Sequence, residues 1–211
     1  MEAPKPEPLI FPRGVRFPRK NELPPGNEES LARIATANIT TGYVRNDEGG
    51  KTFSSYFEAN VHAHNVFSVF KELARSVLPK IAAPLIGIKE DEPTFGPYTD
   101  KQLAIKVLES HKELLQHDGF LEFGVTFQLA GKVEEIFIAS AKYFKIWTNQ
   151  PELVARIFET AGIPECRKLE FIDEYPMVSL SIDKKGNAAW QGVYETVVIA
   201  FANLPIAIRD Q

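Results

Sequence analysis

Leu121-Glu122-Phe123-Gly124-Val125-Thr126-Phe127-Gln128-Leu129, continued by Ala130-Gly131-Lys132 and then by residues 133–147, decides the fold class. Its apolar side chains at 121, 123, 125, 127 and 129 alternate with period two, which sets one face of a β-strand against a core. Ala130-Gly131-Lys132 turns the chain, and 133–147 reads as one long strand whose middle is apolar on both faces. An antiparallel pair follows from this, and the rest of the chain has to cover it.

Working outward, a helix is predicted from Asn149, with Pro151 in its first turn, through Leu153, Val154, Ile157, Phe158 and Ala161, ending at Gly162. Strands are expected at 168–172 and 177–182, and a last one at 188–201 after the turn Lys184-Lys185-Gly186-Asn187. Upstream, Thr99-Asp100-Lys101-Gln102 has capping-box spacing and opens a helix that runs to Asp118-Gly119. Asn65 is placed as the N-cap of another, built on Val66, Val69, Phe70, Leu73 and Val77 and stopped by Pro79. The segment 82–88 reads as a strand that Pro84 confines to an edge or an irregular crossing. Residues 34–45 and 51–61 read as two strands joined through Asn46-Asp47-Glu48-Gly49-Gly50.

Gly50-Lys51 and Gly131-Lys132 stand 81 residues apart in a similar order of strand, turn, strand, helix and strand. The reading is therefore an α+β domain: an antiparallel or mixed sheet from two pseudo-repeated ββαβ units, about 31–98 and 119–182, with helices on one face. Residues 26–211 form this single domain, closed by the C-terminal strand segment. Residues 1–25 are a proline-rich extended arm, holding seven of the fifteen prolines and a charge of +2 against −6 for the remainder. Ile10, Phe11, Val15 and Phe17 are expected to strap it to the domain.

With 44% hydrophobic residues and fifteen Phe, the chain can build a core without staples. Its single cysteine, Cys166, excludes a disulfide scaffold and suits a reducing compartment. The N-terminal Met-Glu-Ala-Pro lacks a basic and apolar leader, and no apolar run approaches the roughly 20 residues of a spanning helix, so a cytoplasmic protein off the membrane is expected. A formal charge of −4 and a pI near 5.7 make nucleic acid an unfavoured partner.

No Gly-x-Ser-x-Gly elbow, phosphate loop or dinucleotide fingerprint occurs, and no motif fixes a reaction. The sequence favours a non-catalytic module that binds another protein, one with a basic surface. Its contacts are the polar row Tyr56, Glu58, Asn60, His62 and His64, which alternates with Phe57, Ala59 and Val61, and the acidic loop Glu90, Asp91 and Glu92. Tyr43, Tyr143, Trp147, Trp190 and Tyr194 are further amphipathic rings suited to an interface. In size and charge only, the chain resembles bacterial immunity proteins that neutralise toxin domains. The alternative is a metal-dependent enzyme using His62 and His64 as ligands for Zn or Fe. Glu58, about 13 Å along the strand from His62, does not close that shell unaided, so His111, His117 or an acid from another element is the expected third ligand.

Overall fold

The computed structural model describes residues 7–182 and 189–207. The strands are β1 (Val15–Arg16), β2 (Gly42–Asn46), β3 (Ser55–Asn60), β4 (Ile81–Ile88), β5 (Thr94–Phe95), β6 (Thr99–Asp100), β7 (Leu121–Leu129), β8 (Lys132–Ile138), β9 (Phe144–Thr148) and β10 (Val178–Ser179). The helices are α1 (Glu28–Thr36), α2 (Val66–Val77), α3 (Lys101–Glu109), α4 (Lys112–His117), α5 (Pro151–Thr160) and α6 (Ala189–Ala202). The fold is α+β. Its main sheet runs β2-β3-β9-β8-β7-β4-β5, antiparallel throughout, with β6 beside β4; β1 and β10 form a separate two-stranded ribbon.

The deciding stretch forms β7 and β8 around a two-residue turn in which Ala130 and Gly131 both have positive φ, the geometry that matches strand twist. The expected long strand 133–147 is instead two strands. The chain reverses at 139–143: Lys142 donates from its amide to the Ala139 carbonyl and takes a φ of 65°. Nothing in Ala139-Ser140-Ala141-Lys142 carries the glycine that usually marks such a reversal.

Leu121, Phe123, Val125, Ile136, Ile138, Phe144 and Ile146 point to the helical side of the sheet and pack with Phe67, Phe70, Leu73, Phe158 and Val197 into the main core. Each such side chain, fully buried, contributes about 1.5–3 kcal/mol. The α2 stripe falls where its periodicity puts it. Its cap does not: the Asn65 side chain makes no capping bond, and the Phe67 amide donates to Gln116 Oε1 of α4 at 3.1 Å. The α3 cap is Asp100, which accepts from the Gln102 amide, and the helix expected to continue to Asp118 breaks at Ser110-His111 into α3 and α4.

Pro84 lies on a strand one place in from the sheet edge. Its carbonyl accepts from the Gly96 amide, so the nitrogen that lacks a hydrogen faces outward too and the ladder to β7 loses nothing.

Three further expectations change. Residues 34–36 belong to α1, so only 42–45 of the expected strand 34–45 lies in a strand, β2. Residues 168–171 form no strand, and β10 supplies two residues of 177–182. The C-terminal strand is the helix α6: Trp190, Tyr194, Val197 and Phe201 recur three to four apart and pack against the core, overriding the β-propensity of Thr196, Val197, Val198 and Ile199. The turn Lys184-Lys185-Gly186-Asn187 lies outside the described residues. As for the proposed repeats, the first stretch runs β2, β3, α2, β4, whereas the second runs β7, β8, β9, α5, and its last strand, β10, pairs outside the main sheet.

The arm lies along the molecule. Val15 is buried, Phe11 and Phe17 are half-buried, and Ile10 is exposed. Val15, Phe11 and Phe17, without Ile10, join Tyr143, Leu169, Phe171 and Ile172 in a second apolar cluster, which reaches Val44 and Phe137 on the sheet face opposite the helices.

Candidate functional site

Strand alternation and register build this second face. One row across the sheet reads Asn46, Tyr56, Trp147, Glu135, Thr126, Ala83, and the next reads Val44, Glu58, Lys145, Phe137, Gly124, Leu85, Phe95. The second cluster covers the face near Phe137 and Val44. Tyr56 and Trp147 belong to neither apolar cluster; they pack on each other with ring centroids 5.1 Å apart, both half-buried.

Tyr56 donates its hydroxyl to Glu58 Oε1 at 3.0 Å, and burial, with the Glu58 charge behind it, raises the phenol far above its ordinary pKa. Lys145 is the register partner of Glu58, yet its ammonium stands over the Tyr143 ring, 5.3 Å from the centroid. Tyr143 donates to Asp173 Oδ2 at 3.0 Å, and its phenol is likewise raised, first by burial and then by Asp173. Beside these groups an open cleft of about 550 Å³ is lined by Glu58, Tyr143, Arg167, Lys168, Asp173 and Glu174, among others.

Glu134 and Glu135 part company through the same alternation. Glu134 is buried on the helical side, where it accepts from Thr148 Oγ1 at 2.6 Å and from the Asn149 amide at 2.9 Å, tying β8 to the start of α5. Glu135 stays on the open face next to Trp147, and burial raises its carboxyl pKa. The buried Thr126 hydroxyl is close enough to pull that value part of the way back, although it makes no hydrogen bond of normal geometry.

Of the expected contact residues, Tyr56 and Glu58 share the open face. Asn60 is 2% exposed and its amide donates to the Thr40 and Glu170 carbonyls, which makes it a clamp on the connector. Residues 62 and 64 lie past the end of β3. The His62 Nδ1 accepts from the Ile10 amide at 3.1 Å, its Nε2 is 3.7 Å from Glu7, and the His64 ring stacks on it at 5.5 Å. Among the described residues no group of three His, Cys, Asp or Glu is gathered to hold a metal. Glu90, Asp91 and Glu92 are exposed on the β4–β5 connection. Four strand spacings separate them from β3, about 19 Å.

The other aromatic residues serve packing. Tyr43 is fully buried and stacked on Phe158 at 5.1 Å, its phenol pushed up to about 12 by burial and then by Glu165. Trp190 stacks on Phe120, and the Tyr194 hydroxyl bonds Thr94 Oγ1 at 2.6 Å. Burial, with Glu165 behind it, raises the Cys166 thiol, the opposite of an activated nucleophile.

Glu135 and Lys145 escaped the sequence reading because an unbroken strand 133–147 hides the hairpin that sets β8 against β9. The only signal was the run of small residues 139–141. No protein-family model, curated protein or solved structure matches the chain.

Proposed function

We propose that this protein is a non-catalytic binding module that docks another protein, one with a basic surface, on the open sheet face around Tyr56, Glu58 and Trp147. The reading is supported above all by the Tyr56–Trp147 pair, two amphipathic rings left half-exposed outside both apolar clusters and flanked by carboxylates. Aromatic anchors with a charged surround are the composition of interface hot spots. The net charge of −4 favours encounter with a basic partner, as in an inhibitor of the immunity-protein kind.

The acidic loop Glu90-Asp91-Glu92 acts as a separate steering element. A cytoplasmic setting accords with this reading; among the described residues no helix is long and apolar enough to cross a membrane.

Affinity capture from the native cell, run in parallel with the wild type and a folded Tyr56→Ala/Trp147→Ala variant, tests the proposal. A stoichiometric protein retained by the wild type and lost by the variant is expected. A partner bound equally by both would overturn it.

A further inference from the structure

Glu58 and Glu135 flank the Tyr56–Trp147 pair from two strands: Glu58 is the next outward residue along β3 from Tyr56, and Glu135 is the cross-strand neighbour of Trp147. Neither carboxylate has a lysine, arginine or histidine within ion-pair distance among the described residues. A half-buried carboxylate without a cation is an unusual expense in a folded protein. Lys145, the register partner of Glu58, stands over Tyr143, and Arg167 and Lys168 line the cleft beside Glu58 without an ion pair to it.

A second, separate observation lies in the same row. Thr126, 3% exposed and directly across from Glu135, makes no hydrogen bond of normal geometry among the described residues, its hydroxyl lying against the Glu135 carboxylate. Two aromatic rings and two carboxylates without a cation partner together form the surroundings that a guanidinium or ammonium group seeks: π-faces for its flat side and anionic acceptors for its N–H groups.

Resting on the docking reading above, we propose that this strip is the receptor for a cationic side chain of the protein partner, an arginine or lysine laid against Tyr56 and Trp147 and held by Glu58 and Glu135. The two carboxylates carry the charge recognition and the rings set the approach. Lys145 limits affinity by like-charge repulsion and so selects partners whose cation enters from the Glu135 side.

The test uses the full chain carrying Trp190→Phe, which leaves Trp147 as the only tryptophan of two. Titration with the peptide acetyl-Gly-Arg-Gly-Arg-Gly-amide is followed by Trp147 fluorescence. A saturable change is expected, suppressed by salt, absent with the corresponding glutamate peptide, and weakened at least tenfold by Glu58→Gln/Glu135→Gln. The neutral isosteres preserve the side-chain volume, and circular dichroism checks the fold. Lys145→Met should tighten binding. An unchanged response in the double Gln variant, or an equal response to the acidic peptide, would overturn the inference.

The partner captured from cells separates the two proposals. If Tyr56→Ala/Trp147→Ala releases it and Glu58→Gln/Glu135→Gln does not, the cation receptor fails and the docking face stands. If neither variant releases it, both fail.

Discussion

The two faces of the sheet are closed by different means. Toward the helices, Phe123 packs on both Phe67 and Phe70, and α2, α3, α5 and α6 all contribute to one apolar cluster. On the other side a short proline-rich arm and the irregular chain 166–177 cover part of the surface, and the remainder mixes rings with charges. Regular amphipathic helices exclude water completely because their stripe repeats along the sheet. Irregular chain covers only where individual side chains reach, so part of this face stays open.

The contrast predicts unequal costs of damage. Phe123→Ala should lose about 3–5 kcal/mol, measured by denaturant unfolding, because the hole opens inside the helix-packed core where Phe67, Phe70 and the sheet backbone cannot collapse freely. A loss comparable to a surface substitution would erase the distinction between the faces.

Lys142 tests the seam between them. It sits in the β8–β9 turn, 2% exposed, with its ammonium on the Leu121 carbonyl; burial lowers its pKa to about 7, with Asp118 and Glu122 opposing. Because the folded value lies below the ordinary 10.5, the unfolded chain binds more protons between about pH 7 and 10.5, and stability must rise with pH across that window. Below pH 7 both states are charged and the slope vanishes. Lys142→Met should flatten this rise, a swing on the order of a few kcal/mol at most. Unfolding curves at pH 7, 8.5 and 10 check it; parallel behaviour of wild type and variant would show that the ammonium is solvated.

Legibility in the sequence follows the same divide. The stripe of α2, the Pro151 start of α5 and the alternation of β7 were readable because burial against one large core imposes a period on the chain. The helix α6 was misread because its β-branched run, Thr196 to Ile199, carries strand propensity that only packing against β4 and α3 overrides. The break at Lys142 and the capping of α2 by Gln116 come from contacts distant in sequence or from a positive φ without glycine, neither of which leaves a local trace. For the candidate site, alternation gave Tyr56 and Glu58 a common face. It also extended that row to Asn60, His62 and His64, where the chain is instead held by the Glu170 connector and the arm.

A smaller loss is expected where the arm meets the domain. Gly14 passes so close to 117–119 that a Cβ would lie 2.5 Å from the Gly119 nitrogen and the His117 carbonyl. Here the backbones exchange bonds: the Gly14 amide donates to His117, and its carbonyl accepts from Leu180. Gly14→Ala should cost about 1–3 kcal/mol by forcing them apart. Hydrogen exchange should then rise in β1 and β10 while β7 and α2 keep their protection. Loss of protection throughout would mean that the arm is integral to the main core.

The smallest change in stability is expected where the functional proposal places the most weight. Trp147 is half-buried, packs on Tyr56 and is in neither apolar cluster, so Trp147→Ala removes a ring-to-ring contact worth about 0.5–1.5 kcal/mol beyond the part-buried area of the ring, and opens no closed cavity. Unfolding should therefore shift by little, while capture of the partner should fall by far more than stability does. That dissociation between folding and binding is what an interface anchor shows and a core residue does not. A loss of several kcal/mol would return Trp147 to the core and leave the open face without its anchor.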